Sequence, residues 1–206
     1  MKIGIMGGTF DPIHNGHLML GHAAFRAFHL DKIWFMPNGN PPHKKSSTIK
    51  SSAQDRMEMT RRAIASYPEF ELQPYEALRQ EVSCSYQTME YFHAQYPDDE
   101  FYFIIGADSL MAIESWVHPE RLFPTCTILA TYRDEIRTKE AMLEQIRHLN
   151  QKYHAKILLL ETSLMPVSSH ELRAKMKAGV PVEAYIPASV ETYIQEQNLY
   201  KKEGKE

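Results

Sequence analysis

Six short runs rich in β-branched and aromatic residues, at 2–6, 32–36, 70–73, 101–105, 127–131 and 156–160, alternate with stretches of helical period. That alternation leaves a chain few options. Strands separated by helices pair in parallel, so the expectation is a doubly wound, Rossmann-like α/β sheet in a single domain. Between the first two runs, Leu18, Gly21, Phe25 and Phe28 fall at i, i+3, i+7 and i+10, one face of a helix. Further helices are expected over 53–66, 86–96, 135–151, 169–178 and 189–197, the last two forming a helical carboxyl-terminal region. No repeat or linker divides the 206 residues. Residues 1–200 therefore read as one domain and 201–206 as a charged tail.

Composition narrows the partners. Hydrophobic residues at 43% and charged residues at 24% suit a buried core and a solvated surface. A net charge of −3 gives no footprint for a general nucleic-acid binder. Cys84 and Cys126 lack CxxC spacing, which suits a reducing compartment. Nothing near Met1 reads as a leader, and no apolar stretch approaches the roughly 18 residues of a membrane span. A cytoplasmic protein without nucleic-acid or membrane partners is expected, monomeric or a small homo-oligomer.

Open parallel sheets bind ligands beyond the carboxyl ends of their strands. The first such end reads GGTFDPIHNGHL, residues 7–18. Gly7 and Gly8 let backbone approach a ligand closely. The run matches neither GxGxxG nor GxxxxGK[ST], so neither a dinucleotide-binding dehydrogenase loop nor a Walker loop is supported. Asn15 is expected to cap the helix that follows. His17 then stands in its first turn, where free N–H groups favour an anion, and His14 reaches the same space from the loop. Two close histidines also suit zinc, but only Asp11 stands nearby as a further ligand, so phosphate is the better fit and no metal-ligating residue is assigned. His22, His29 and His93 lie in helical patterns without partner motifs.

GTFDPIHNGHL resembles the signature of the nucleotidyltransferase superfamily, with its HxGH pair. In that superfamily the histidines stabilise the transition state while a nucleotide's α-phosphate is attacked. Three more segments resemble bacterial nicotinate mononucleotide adenylyltransferases. NPPHK, residues 40–44, presents His43 and Lys44 after the second strand, within a long irregular segment at 37–52. IIGADSL, residues 104–110, resembles the family's IxGxD element, which implies Gly106 and Asp108 against the ATP ribose; Asp108 is also placed to cap the next helix. VSSHELR, residues 167–173, resembles SSTxIR, implying β- and γ-phosphate contacts from Ser168, Ser169 and Arg173. There Ser168 and Glu171 have capping-box spacing, and His170 stands where the family usually has Thr.

On the acceptor side SCSYQT, residues 83–88, stands where the family carries SYTxDT, so Tyr, Thr and Asp become Cys84, Ser85 and Gln87. The resemblance implies acceptor contacts from Phe10, Ser85, Thr88, the stacking ring of Trp116, and Arg133 on the mononucleotide phosphate. It covers nearly the whole chain. It implies transfer of the adenylyl group of ATP to nicotinate mononucleotide in NAD biosynthesis, with Mg²⁺ carried on the ATP phosphates. His14, His17, Lys44 and Arg173 are the expected catalytic residues, with Gly7, Gly8 and Thr9 beside ATP. Three alternatives stay open: nicotinamide mononucleotide or phosphopantetheine as acceptor, a nucleotide-sensing module without turnover, and a metal hydrolase.

Overall fold

The computed structural model describes residues 1–39, 49–132, 136–162 and 165–201, without the side chains of 136–138. Its strands are β1 Lys2–Gly8, β2 Lys32–Pro37, β3 Phe70–Leu72, β4 Glu100–Gly106, β5 Thr127–Tyr132 and β6 Ile157–Glu161. They form one six-stranded sheet in the order β3-β2-β1-β4-β5-β6, every pair parallel. The helices are α1 Asn15–Ala27, α2 Ala53–Ile64, α3 Ser85–Gln95, α4 Ala107–Ala112, α5 Pro119–Leu122, α6 Ile136–Tyr153, α7 Ser169–Lys177 and α8 Ala188–Glu196. Among the described residues, no helix is long and apolar enough to cross a membrane.

Strand periodicity builds two core layers, one on each face of the sheet. Ile3, Ile5, Trp34, Met36, Phe101, Phe103 and Ile105 face one layer. Their sequence neighbours Met6, Ile33, Phe35 and Ile104 face the other. The four central strands, buried on both sides, read as continuous apolar runs, while the edge strands β3 and β6 are only partly buried. The helices agree to within two residues at most ends. The α1 stripe holds as well: Leu18 and Gly21 are buried, while Phe25 and Phe28 pack partly buried on the same core.

Local corrections have local causes. α1 is capped by His14 and not by Asn15, which is the first helical residue. The Asn15 amide instead donates to the Ala184 carbonyl at 3.3 Å, and its backbone N–H to the Tyr185 carbonyl at 2.8 Å. Gly106, not Asp108, caps α4. Residues 107–125 fold into α4, α5 and two 3-10 turns, each too short to carry a periodic signal. Ser168 and Glu171 do form their capping box, and Ser52 and Asp55 form another at α2.

The strand order fixes where a ligand can go. Consecutive crossovers run outward in opposite directions from β1 and β4, so a crevice opens beyond their carboxyl ends. Gly7, Gly8 and Gly106 end those two strands.

Candidate active site

A cleft of about 590 Å³ occupies that crevice. Gly7, Gly8, Thr9 and His17 from β1 and α1 line it, together with Gly106 and Asp108 after β4. Its far wall carries Ser83, Cys84, Ser85, Glu76 and Trp116. Residues nearly a hundred positions apart meet because β1 pairs with β4, Met6 opposite Ile104.

The histidine pair is stacked, with ring centroids 3.6 Å apart. The His14 backbone N–H donates to His17 Nδ1 at 3.2 Å, which fixes the His17 ring at the helix start. Only His17 of the pair lines the cleft; His14 lies beneath it, 6% exposed. Gly16 makes room for this arrangement, since a Cβ there would stand 3.0 Å from His14 Nδ1. Burial lowers the His14 pKa to about 4, so the imidazole is neutral near neutral pH.

A pH dependence of stability follows. The unfolded chain takes up the His14 proton near pH 6.5, the folded chain only near 4. Stability is therefore complete above 6.5 and falls as pH drops towards 4, by on the order of 3 kcal/mol from this group. The melting temperature of His14→Ala should fall less steeply between pH 7 and 4 than that of the parent. Parallel curves would remove His14 burial as the cause.

Phe10 and Thr88 sit differently from their expected role. The Phe10 side chain is 2% exposed and packs edge-on against His17, with centroids 4.9 Å apart. It backs the cleft instead of lining it. The cause is local: Phe10 adopts φ 50, and Gly8 leaves space for its ring, where a Cβ would come within 2.6 Å of Cε1. Thr88 is likewise buried, and its hydroxyl donates to Glu76 Oε1 at 2.7 Å. Glu76 is the residue of that pair that lines the cleft, its pKa raised by burial. Burial also raises the Cys84 thiol, with the Glu76 charge adding to it, so Cys84 is a poor nucleophile at neutral pH.

Ser168, Ser169 and Arg173 lie against the segment between β1 and α1. Ser169 Oγ donates to the Pro12 carbonyl at 2.9 Å, and Arg173 Nη1 to the Asp11 carbonyl at 2.6 Å. These bonds bring the start of α7 to the start of α1, so two helix amino termini converge there. His170 is exposed. Lys44 and Arg133 lie outside the described residues.

Three contributors escaped sequence reading. Asp11, 2% exposed, accepts hydrogen bonds from Lys50, Ser51 and Tyr200. Arg56, also 2% exposed, donates to the carbonyls of Thr9 and Asn38 and so ties the ends of β1 and β2 together. Glu76 is the third. Only its neighbour motif, residues 83–88, pointed to that wall.

A cleft of this size at the switch of a parallel sheet, lined by glycines and by the His17 imidazole at a helix start, defines a nucleotide-handling α/β protein. Residues 5–175 match the cytidylyltransferase-like family. The chain is 40% identical over 200 residues to a probable nicotinate-nucleotide adenylyltransferase of Carboxydothermus hydrogenoformans, covering 97% of this chain and 98% of that protein. A probable nicotinate-nucleotide adenylyltransferase of Clostridium botulinum strain Alaska E43 is 38% identical over 202 residues, covering 98% and 99%. The chain belongs to the nicotinate-nucleotide adenylyltransferase family. The nicotinic acid mononucleotide adenylyltransferase of Plasmodium falciparum complexed with NaAD has the same fold, with a TM-score of 0.79 at 22% identity over 97% of each chain.

Proposed function

We infer that this chain joins ATP and nicotinate mononucleotide, giving nicotinate adenine dinucleotide and pyrophosphate in NAD biosynthesis. One observation carries the reading beyond family membership. A single cleft of about 590 Å³ brings Gly7, Gly8, His17, Gly106 and Asp108, expected beside ATP, together with Ser85 and Trp116, expected at the acceptor.

An oxygen of the acceptor's phosphate attacks the α-phosphorus of ATP, and the bond to the β-phosphate oxygen breaks. That oxygen is already ionised at neutral pH, so no general base is required. The protein's task is to align two anions and offset charge where it develops. His17, supported by His14 and the α1 amino terminus, would meet the α-phosphate. Ser168, Ser169 and Arg173 would hold the pyrophosphate end, and Arg's planar fork suits two phosphate oxygens at once. Gly7, Gly8 and Thr9 would bring backbone to the phosphates, with Gly106 and Asp108 at the ribose.

Trp116 would stack on the pyridine ring, and Ser85 would meet its substituent. Thr88 serves that wall through Glu76. Lys44 and Arg133 keep the roles the resemblance implies, on the triphosphate and on the acceptor phosphate. The α7 wall offers hydroxyl and guanidinium donors, which suit phosphate oxygens better than a hard cation. Mg²⁺ therefore fits as part of the ATP substrate, holding phosphate oxygens and water. A cytoplasmic location, and a monomer or small homo-oligomer, complete the reading; Cys84 and Cys126 are both unpaired thiols.

Pyrophosphate release with Mg²⁺ and ATP tests it, with nicotinate mononucleotide and nicotinamide mononucleotide compared in parallel. Preference for the acid is expected. Preference for the amide would keep the chemistry and move the acceptor. Nucleotide binding without pyrophosphate release from either would replace the enzyme with a nucleotide-sensing module.

A further inference from the structure

Asp11, in the segment between β1 and α1, is the most enclosed carboxylate among the described residues, and its surroundings are unusual. Oδ1 accepts from Ser51 Oγ at 2.5 Å and from the Tyr200 hydroxyl at 2.6 Å, while Oδ2 accepts the Lys50 backbone N–H at 2.8 Å. All three donors are neutral. Among the described residues Arg173 pairs with the carboxylate: its Nη1 donates to the Asp11 backbone carbonyl and lies 3.6 Å from Oδ2, an ion pair without a hydrogen bond to the carboxylate.

A buried carboxylate without enough donors draws in whatever guanidinium is near. Here neutral donors take three of its roughly four lone-pair positions, and Arg173 stays a loose ion pair beside the carboxylate with its hydrogen bond given to the backbone carbonyl. Tyr200 supplies one donor from the other end of the chain. Its backbone is left-handed at φ 59, and its hydroxyl also lies 3.2 Å from Ser51 Oγ. The phenol therefore braces both the carboxylate and the segment leading into α2.

We propose that Tyr200 is a positioning residue for adenylyl transfer: by satisfying Asp11 it leaves Arg173 able to take the phosphate oxygens of ATP. The proposal rests on the reading of Arg173 as a ligand of the pyrophosphate end. Losing the hydroxyl leaves Asp11 short of a donor, and Arg173 then tightens from the 3.6 Å ion pair to a hydrogen bond on the carboxylate.

Tyr200→Phe keeps the ring and removes only that donor. Its KM for ATP should rise about 10-fold, the scale of one lost hydrogen bond to a charged group, while KM for nicotinate mononucleotide stays within about twofold. Adding Asp11→Asn should recover part of the ATP loss, because a neutral side chain no longer attracts Arg173. An unchanged KM for ATP would overturn the proposal, and so would a parallel rise of both KM values. Should Tyr200→Phe not fold, Ser51→Ala removes the other donor to Oδ1 and should show the same selectivity. If the parent releases no pyrophosphate with either mononucleotide, the functional reading fails, and calorimetric titration with ATP still decides this point. Binding about 10-fold weaker in Tyr200→Phe supports the brace; equal affinity removes it.

Discussion

Replacing His17 with alanine is expected to lower kcat by about 10²–10³-fold, the usual loss when one preorganised donor to a developing oxyanion is removed. The expectation rests on placement: of the two stacked histidines, His17 is the one that lines the cleft. KM values should change much less, because glycine backbone and α7 remain to bind the phosphates. Stability should fall modestly. The variant loses the bond from the His14 N–H and the edge contact with Phe10, together worth about 1 kcal/mol or a little more. For a chain of this size that lowers the melting temperature by roughly 2–4 °C. Single-turnover pyrophosphate release beside scanning calorimetry separates the two effects. Turnover within a few fold of the parent would take His17 out of the mechanism.

Gly39→Ala should be the most destabilising small substitution around the cleft. A Cβ at residue 39 would lie 2.2 Å from the Glu76 carbonyl oxygen and 3.1 Å from that of Arg79. Both are backbone atoms, so no rotamer change relieves the clash and one segment must move. Overpacking of this kind costs typically 1–3 kcal/mol, which here means a melting temperature lower by roughly 2–12 °C. The same shift displaces Glu76 and raises KM for the acceptor. Gly106→Ala is the contrasting case. A Cβ there meets nothing within 4 Å and projects into open space, so its melting temperature should match the parent's. Its KM for ATP should rise, since Gly106 lines the cleft where the ribose is assigned. Equal stability of the two variants would contradict the close approach at Gly39.

The four central strands were legible because burial on both faces writes itself as uninterrupted apolar runs. The turn from β1 into α1 was legible because glycines and paired histidines have few other uses at such a junction. The capping box of Ser168 and Glu171 needed only local spacing. What stayed hidden depends on long-range contacts. Phe10 and Thr88 stand next to cleft residues in sequence, yet their side chains turn inward, one into the space Gly8 leaves and the other to Glu76. Asn15 looked like a cap until the carbonyls of Ala184 and Tyr185, which no local pattern announces, claimed its polar groups. Arg56 has the composition of a surface helix residue and is 2% exposed, because strand-end carbonyls are there to receive it.

The hydroxyl of Tyr200 reaches Asp11 across 189 residues, and Ser169 and Arg173 reach the same loop across more than 150. Synthesis runs from one of these partners to the other. The glycine turn and both histidines leave the ribosome long before the residue that secures Asp11 is made. A nascent chain therefore carries the glycines and histidines of that turn well before α7 and Tyr200 exist to brace it. A chain ending short of Tyr200 would keep all six strands and lose that brace on Asp11.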